Sequence, residues 1–412
     1  MMRPRFAKRS STDYARLPPM AGKKALFFVY VWPEPRSSAA GVRTRELIAI
    51  LQRNGWQVSA VSPSGLGPYR DELNALGVQT ITCDPNDSPP TEAALSALSP
   101  DLVIYDRFVM EEQFGWRARA LWPSAVQVVD TQDLHSLRRA RERTGKLHPS
   151  PMEMGEDLLR ELASLYRAGA ALVVSRFEET LLKELGFPPS RLLCLPFSAA
   201  ADTGLPDFSE RRGFCFLGNF RHAPNLDSVR WLLAEHWPLI RARLPEAELN
   251  LYGAYPPAEI SAHKGKNGVF ARGPVLDHRA ALRSHRVLLA PLRFGAGIKG
   301  KVLEAWGSGT PVVGTALTFE GMGKAGIAAE CPADLAERAV ELHENESAWN
   351  AEREKGTTNL RAHFSPELVE RLFLEFLPSI PQGDDLVGRM LRHHGANASK
   401  YFSRWIEAKN RV

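Results

Sequence analysis

The chain has 412 residues, of which 44% are apolar and 24% charged, with a formal net charge of +5. This length exceeds one ordinary domain, so two domains are expected, and the composition is that of a globular protein with an ample core. The modest positive charge suits an acidic ligand or an anionic membrane surface and gives no reason to expect nucleic acid as a partner.

Residues 1–22 carry several basic side chains and no apolar core. They are therefore expected to form a disordered basic arm, with a transit peptide as the alternative and a secretory signal excluded. The four cysteines lie far apart and share no metal-ligand spacing. They are interpreted as reduced thiols, which predicts a cytoplasmic protein, with peripheral contact at the inner membrane surface through the basic arm as a further expectation.

Short apolar runs alternate with helical patterns through the first half of the chain. The predicted strands are 25–31, 57–62, 80–83, 101–105, 125–129 and 171–175. Predicted helices include 44–54, 156–167 and 177–185, in which apolar residues recur at helical spacing. This alternation predicts a parallel sheet with crossover helices.

A segment without periodicity, 198–212, is predicted to be a linker, and a second alternating series follows it. Its predicted strands are 213–217, 248–252, 268–271, 287–290 and 311–313. Its predicted helices are 225–243, kinked or ended by Pro238, then 279–284, 301–308, 332–343, 347–362 and 366–376.

The predicted organisation is a first α/β domain at 23–197, the linker, a second α/β domain at 213–377 and a partly helical tail at 378–412. Both domains are expected to be doubly wound, Rossmann-like sheets that face each other across a cleft. Ligands of such sheets bind at the carboxyl ends of the strands, so the loops that follow the strands are the candidate sites.

The segment 293–314 is the most informative of these loops. It holds a glycine-rich turn, two lysines and a glutamate about one helical turn further on: Gly295, Gly297, Lys299, Lys301 and Glu304. A helix start offers free N–H groups and a positive dipole end to a phosphate, and a carboxylate accepts hydrogen bonds from sugar hydroxyls. The segment therefore predicts a nucleotide-type ligand. The alternative, a solvated helix face, fits the glycines less well.

Two loops of the first domain are further candidates. The first of these loops, 32–45, contains Gly41 and Arg43. Gly41 lets a phosphate approach the backbone, and Arg43 can pair with that phosphate. The alternative is a flexible loop with solvated arginines. In the loop 130–135, Asp133 and His135 can orient sugar hydroxyls or shuttle a proton. The alternative is that Asp133 caps the following helix and His135 lies on the surface.

The loop 218–225 of the second domain is the fourth candidate. Gly218 suits a tight turn, and Arg221 can contact a phosphate. Asn225 has the residue type of a helix cap, so turn and cap chemistry alone also explain this loop.

These residues resemble a known family. The sequence Gly-Ala-Gly-Ile-Lys-Gly-Lys-Val-Leu-Glu-Ala-Trp-Gly-Ser-Gly-Thr-Pro-Val-Val at 295–313, followed by Glu320-Gly321-Met322, is similar to the donor-binding segment of family-4 retaining glycosyltransferases, the glycosyl transferases group 1, which have the GT-B fold. Segments 217–225 and 251–253 fit the second domain of that family. Segments 40–43 and 130–135, with Arg138, resemble its acceptor-side loops.

The resemblance implies a role for each candidate. Glu304 would bind the ribose hydroxyls, Lys301 and Arg221 would neutralise the diphosphate, and Asp133 or His135 would line the sugar or acceptor site. The implied catalytic residues are Asp133, His135, Lys301 and Glu304. The implied donor-binding residues are Gly41, Arg43, Gly218, Asn219, Arg221, Gly295, Ala296, Gly297, Lys299, Lys301 and Glu304.

One position departs from the family pattern. Many members carry two glutamates separated by seven residues, and the position of the first is Ala296 here. An alanine side chain cannot bind a sugar hydroxyl, so the resemblance does not carry over the identity of the sugar. The same departure motivates the alternative of a non-catalytic binding protein with this fold.

By this resemblance the chain is a glycosyltransferase of polysaccharide or glycoconjugate biosynthesis. It would move a sugar with retention from a nucleotide-diphosphate sugar to a glycan, lipid-linked or small-molecule acceptor. No Asp-x-Asp sequence occurs, so neither a metal nor another cofactor is expected, and protein cations would balance the diphosphate. A nucleotide-sugar epimerase or a phosphorylase is the alternative within the same fold.

Overall fold

The structure is a computed structural model that describes residues 22–381 and 386–410. Almost all of the predicted basic arm therefore lies outside the described residues. In the described part the chain forms two separate parallel sheets, one of seven and one of six strands. Helices connect the strands, as the alternating pattern predicts.

The first sheet has the strand order β3-β2-β1-β4-β5-β6-β7. Its strands are β1 (Lys24–Phe28), β2 (Gln57–Ser62), β3 (Gln79–Thr82), β4 (Leu102–Asp106), β5 (Val126–Asp130), β6 (Gly169–Val173) and β7 (Leu192–Cys194). Its helices are α1 (Ala39–Arg53), α2 (Pro68–Ala75), α3 (Ser88–Ser96), α4 (Phe108–Leu121), α5 (His135–Thr144), α6 (Pro151–Ala168) and α7 (Arg176–Glu184). Apolar clusters cover both faces of this sheet, so most of its strand residues are buried.

The second sheet has the order β10-β9-β8-β11-β12-β13. Its strands are β8 (Phe214–Leu217), β9 (Leu249–Tyr252), β10 (Val269–Gly273), β11 (Val287–Ala290), β12 (Val312–Gly314) and β13 (Ile327–Ala328). The helices of this half are α8 (Ala223–Trp231), α9 (Trp237–Arg243), α10 (Ala258–Ser261), α11 (His278–Arg283), α12 (Gly300–Gly307), α13 (Pro332–Glu344) and α14 (Glu346–His363). In both sheets the strand order reverses beside the first strand of the domain, which places a binding crevice at the carboxyl ends.

The predicted helix 225–243 is interrupted. α8 ends at Trp231, a π-helical turn spans Leu232–His236, and α9 follows with Pro238 in its first turn. Because proline lacks an N–H, it cannot continue the hydrogen-bond ladder of the preceding helix. The break expected at Pro238 is confirmed, and it takes the form of the π turn.

The end of the chain returns to the first domain. Val369 and Phe373 of α15 (Pro366–Phe376) belong to the same apolar cluster as Leu47 and Leu51 of α1. Glu370 accepts hydrogen bonds from Arg53 and Asn54 at 2.7 and 2.8 Å. The predicted second domain, 213–377, is thereby corrected, because the apolar face of α15 is buried by the first domain.

A last helix, α16 (Leu386–Asn410), lies against α4 and α6 of the first domain. None of the helices within 22–381 and 386–410 has both the length and the hydropathy needed to span a membrane. All four cysteines are free thiols.

Candidate functional site

The carboxyl ends of the two sheets meet at a cleft, and the turn 295–297 of the second domain lies against the first. A Cβ atom added to Gly297, which has φ 64°, would lie 2.9 Å from Val174 and 3.0 Å from Asp133. A Cβ atom on Gly300 would approach the side chain of Ala39 to 2.8 Å. These glycines therefore allow the turn 295–297 and the start of α12 to contact the first domain directly.

Arg141 of α5 joins the two domains. Its guanidinium donates to the carbonyl oxygen of Gly295 at 2.7 Å and to both carboxylate oxygens of Glu320 at 2.7 and 2.9 Å. The arginine side chain is almost fully buried, so this bidentate pair is shielded from solvent. Arg141, Gly295 and Glu320 therefore form a direct contact between the two domains.

Arg141 is not among the site residues predicted from the sequence. It lies among other arginines in α5, and the only signal is its spacing from Leu137 and Ala140, which places it on the buried face of that helix. A second interdomain contact involves a predicted residue, because the Asn219 amide donates to the carbonyl oxygen of Ser37 at 3.1 Å.

Two lysines lie at the start of α12. The helix begins at Gly300, and neither a side-chain cap nor an acidic residue occupies its first turn. The ammonium of Lys299 donates to the carbonyl oxygen of Gly297 at 2.7 Å, and burial lowers the pKa of this lysine to about 8. Lys301 donates to Asn225 Oδ1 at 2.7 Å, and burial together with the charge of Lys299 lowers its pKa to about 7. An uncapped helix start beside two lysines is chemically suited to an anion at this edge of the cleft.

Glu304 lies one turn further along the same helix and is partly exposed, with 27% of its side chain accessible. Its nearest ionic neighbour is His278, at 3.8 Å, and burial raises the pKa of the carboxyl. Among the residues that the structure describes, no hydrogen bond occupies this carboxylate. The two lysines and the carboxylate therefore lie at the start of one helix, whereas the binding of hydroxyls by Glu304 stays a prediction.

The loop 218–225 follows β8, the neighbour of β11 in the sheet, and contacts Lys301 through Asn225. Asn225 is not the cap of α8, which begins after His222 without a side-chain cap. Its amide instead donates to the carbonyl oxygen of Asn219 at 3.0 Å, while its oxygen accepts from Lys301. A Cβ atom on Gly218 would lie 2.8 Å from Asn225, so glycine leaves the space for this link.

Arg221 lies at the rim of the cleft. It is exposed, and its guanidinium stacks 3.7 Å from the centroid of the Tyr255 ring. Stacking orients the side chain without neutralising its charge, so the guanidinium remains able to bind an anion.

Asp133 lies after the end of β5, close to Gly297 of the second domain, and His135 lies beside it, with its ring against Phe108. Asp133 accepts a hydrogen bond from Arg138 at 2.7 Å and lies 3.4 Å from His135 Nε2. Burial alone would raise the pKa of Asp133, but Arg138 and His135 hold it below its usual value. Burial lowers the pKa of His135 to about 4, so the imidazole is neutral at pH 7. The pair is therefore a carboxylate beside a neutral imidazole, suited to accept hydrogen bonds from hydroxyls.

Two buried glutamates cap α5 in place of Asp133. Glu161 accepts from the backbone N–H groups of His135 and Ser136 at 2.7 and 2.9 Å, and Glu178 accepts from that of Leu134 at 2.9 Å. Burial raises the pKa of each glutamate to about 7. The alternative interpretation of Asp133 as a helix cap is therefore wrong, and its side chain is directed to the cleft.

Arg43 does not reach the cleft. It is fully buried, its Nε lies 2.8 and 2.9 Å from the oxygens of Asp130, and it also donates to the carbonyl oxygens of Leu195 and Pro196. The prediction that Arg43 contacts phosphate is thereby corrected, because the guanidinium joins β5 to the segment after β7 inside the first domain.

Gly41 lies in the first turn of α1, where its N–H donates to Ser38 Oγ at 3.0 Å. A Cβ atom here would approach the backbone of Glu34 to 2.5 Å. The fold of the loop itself therefore requires glycine, and the contact of Gly41 with a diphosphate stays a prediction.

Within the described residues, no three His, Cys, Asp or Glu side chains converge in a way that could hold a metal ion. The independence from metal stays a prediction.

Comparisons with known proteins agree with this arrangement. Residues 211–345, which cover most of the second domain, match the family described as glycosyl transferases group 1. No curated protein shows significant sequence similarity to the chain. The resemblance to glycosyl transferases group 1 is confirmed, whereas membership of family 4 stays a prediction.

The fold is shared with solved structures over most of the chain. HepE from Anabaena in complex with UDP and glucose has 15% identity and a TM-score of 0.63, covering 87% of this chain and 100% of that chain. Sucrose-phosphate synthase from Thermosynechococcus elongatus has 15% identity and a TM-score of 0.65, covering 86% and 98%. TarM from S. aureus, bound to fondaparinux, α-GlcNAc-glycerol and UDP, has 10% identity and a TM-score of 0.64, covering 86% and 99%. At these identities the similarity establishes the fold, and the predicted GT-B architecture is confirmed.

Proposed function

We propose that this chain is a retaining glycosyltransferase that moves a sugar from a nucleotide-diphosphate sugar to a glycan, lipid-linked or small-molecule acceptor, without a metal ion. The observation that carries the proposal is the start of α12. There Lys299, Lys301 and the unoccupied carboxylate of Glu304 lie within two helical turns at the edge of the interdomain cleft. The family match of the second domain and the UDP complexes of HepE and TarM support a nucleotide sugar as donor.

In this proposal the diphosphate lies over the start of α12. The helix N–H groups and Lys301 stabilise the negative charge that develops on the leaving phosphate, and Arg221 contributes from the rim. Glu304 accepts hydrogen bonds from the ribose hydroxyls one turn further on. Protein cations thereby balance a charge that a metal ion balances in other glycosyltransferase folds.

The acceptor would enter from the first domain. For retention, the acceptor oxygen attacks the face from which the diphosphate leaves, and a departing phosphate oxygen takes its proton. Asp133 and neutral His135 would orient the hydroxyls of the sugar or acceptor at this point. Because Ala296 provides no hydrogen-bonding side chain, the backbone of the turn 295–297 would bind the donor sugar.

Thermal unfolding with a panel of nucleotide sugars tests the donor. One class should raise the unfolding temperature, because a ligand that binds only the folded state stabilises it. Glu304→Gln should reduce this shift, because it weakens donor binding. Glu337→Gln, an exposed glutamate of α13, is the matched control and should keep it. If no nucleotide sugar raises the unfolding temperature, the proposal fails.

Product analysis then separates the candidate reactions. A glycosyltransferase releases nucleoside diphosphate slowly in water and faster with a suitable acceptor. An epimerase returns an altered nucleotide sugar, whereas a non-catalytic binding protein, the candidate that Ala296 favours, gives a thermal shift without any product. An enzyme that retains full activity after chelation of divalent metals agrees with the metal-free proposal.

The free thiols support a cytoplasmic location for the protein.

A further inference from the structure

Exposed large apolar side chains are concentrated on α16. Tyr401, Phe402 and Trp405 are 64%, 63% and 57% accessible, and three more lie near the start of the helix: Leu386, Val387 and Met390. Elsewhere in the described residues, no helix or strand carries more than two exposed large apolar side chains. A concentration of this kind marks an interaction surface, because isolated exposed apolar residues are ordinary but a cluster is not.

The opposite face of α16 is fixed to the first domain. Ser403 is buried and its hydroxyl donates to the carbonyl oxygen of Pro85 at 2.9 Å, while Arg392 donates to that of Arg167 at 3.1 Å. Since successive residues of a helix are about 100° apart, Tyr401, Phe402 and Trp405 lie on the side away from these anchors. The aromatic face is therefore held outward.

Basic residues accompany these aromatic side chains. The helix contains five Lys or Arg residues and a single acid, Glu407, in its sequence. In sequence, Arg404 lies between Phe402 and Trp405. The ammonium of Lys409 lies 5.4 Å from the Trp405 ring centroid. Phe402 and Trp405 stack on each other at 5.9 Å. Aromatic and aliphatic side chains interspersed with cations are typical of helices that lie in a membrane interface.

We infer that α16 docks the first domain on an anionic lipid bilayer. The helix axis lies in the plane of the interface, the aromatic rings enter the boundary between headgroups and acyl chains, and the cations contact lipid phosphates. A second copy of the chain fits this surface less well. A two-fold contact would place two copies of α16, each with five basic residues and one acid, against each other, whereas an anionic bilayer complements that positive charge.

Sedimentation of the full chain with lipid vesicles tests this inference independently of the transferase reaction. Vesicles of phosphatidylcholine with phosphatidylglycerol should bind the protein, those of phosphatidylcholine alone should bind it far more weakly, and salt should reduce binding. Phe402→Ser combined with Trp405→Ser should weaken binding by about tenfold or more, because two large apolar side chains no longer leave water. Arg404→Glu combined with Lys409→Glu should weaken it selectively for anionic vesicles.

Leu276→Ser is the matched control, because Leu276 is 89% exposed on the second domain and its loss should leave vesicle binding unchanged. Unfolding temperatures of all variants identify any that fail to fold. Failure of the unmodified protein to bind anionic vesicles overturns the inference. The inference is also overturned if light scattering shows a dimer and the Phe402 and Trp405 substitutions convert it to a monomer. The patch would then bind a second copy of the chain.

Discussion

Lys301 provides the sharpest test of the donor site. In the free protein its ammonium has an uncharged partner, Asn225, and a pKa lowered to about 7. A bound diphosphate would place full negative charge beside it and raise that pKa. Lys301→Met removes a charge-assisted hydrogen bond, which contributes about 1.5–3 kcal/mol. Donor affinity should therefore fall about tenfold to about 150-fold.

The lowered pKa of Lys301 also determines how donor affinity depends on pH. Below pH 7 the lysine is protonated with or without ligand, so donor affinity is constant. Above pH 7 the free protein loses the proton and binding must restore it, so affinity falls with rising pH by at most about tenfold per pH unit. Above pH 8, donor binding must also restore a proton to Lys299, whose pKa is about 8. A nucleotide sugar is the appropriate probe, because both of its phosphates stay ionised through this range.

Calorimetry from pH 6 to pH 9, with the nucleotide sugar that gives the largest thermal shift, measures this dependence. Lys301→Arg keeps the charge but does not titrate, so it should bind the donor at pH 7 and lose the decrease between pH 7 and pH 8. Lys301→Met should bind weakly at every pH. Constant affinity of the unmodified protein from pH 6 to pH 9, or tight binding by Lys301→Met, would refute the assignment of Lys301 to the diphosphate.

Three further predictions concern other parts of the site. Glu304→Gln should weaken a ribonucleotide donor about tenfold in calorimetry but leave a donor without ribose hydroxyls unaffected, and equal losses for both would exclude a ribose contact. Arg141→Ala should open the cleft, measured as a larger radius of gyration in X-ray scattering, while Arg139→Ala, an exposed neighbour, should not change it. Arg43→Ala should lower the free energy of unfolding in urea by about 3–5 kcal/mol, because it leaves Asp130 buried without its partner; a change below about 1 kcal/mol would contradict the buried role.

Most strands could be predicted from apolar runs in the sequence. Each of the eleven predicted strands overlaps an observed one, whereas β7 and β13 were missed, with three and two residues respectively. Strands this short carry no alternation, and they pair only because the sheet already provides an edge. The positions of the loops after the main strands, and hence the candidate site, followed from the strands that were predicted.

Periodicity could not show which domain buries a helix. The apolar residues of α15 predict an amphipathic helix, and its position in the chain suggested the second domain. The helix instead packs on α1, where Glu370 also accepts a hydrogen bond from Arg53. The residue pair is separated by 317 positions in the chain, so no local pattern relates the two.

Residues far apart in the chain also decide why Asp133 does not cap α5, and this bears on function. Local rules favour an aspartate before a helix as its cap, but carboxylates 25 and 44 positions away occupy the N–H groups of α5. Burial raises the pKa of Glu161 and of Glu178 to about 7, so it disfavours the charged form of each carboxyl. What the arrangement gains is a rigid loop whose own carboxylate is left for the cleft. Asp133 is held there by Arg138, in a fixed position and with a lowered pKa, before any ligand binds. In the proposed reaction, we therefore expect Asp133 to be the first-domain side chain that contacts the transferred sugar.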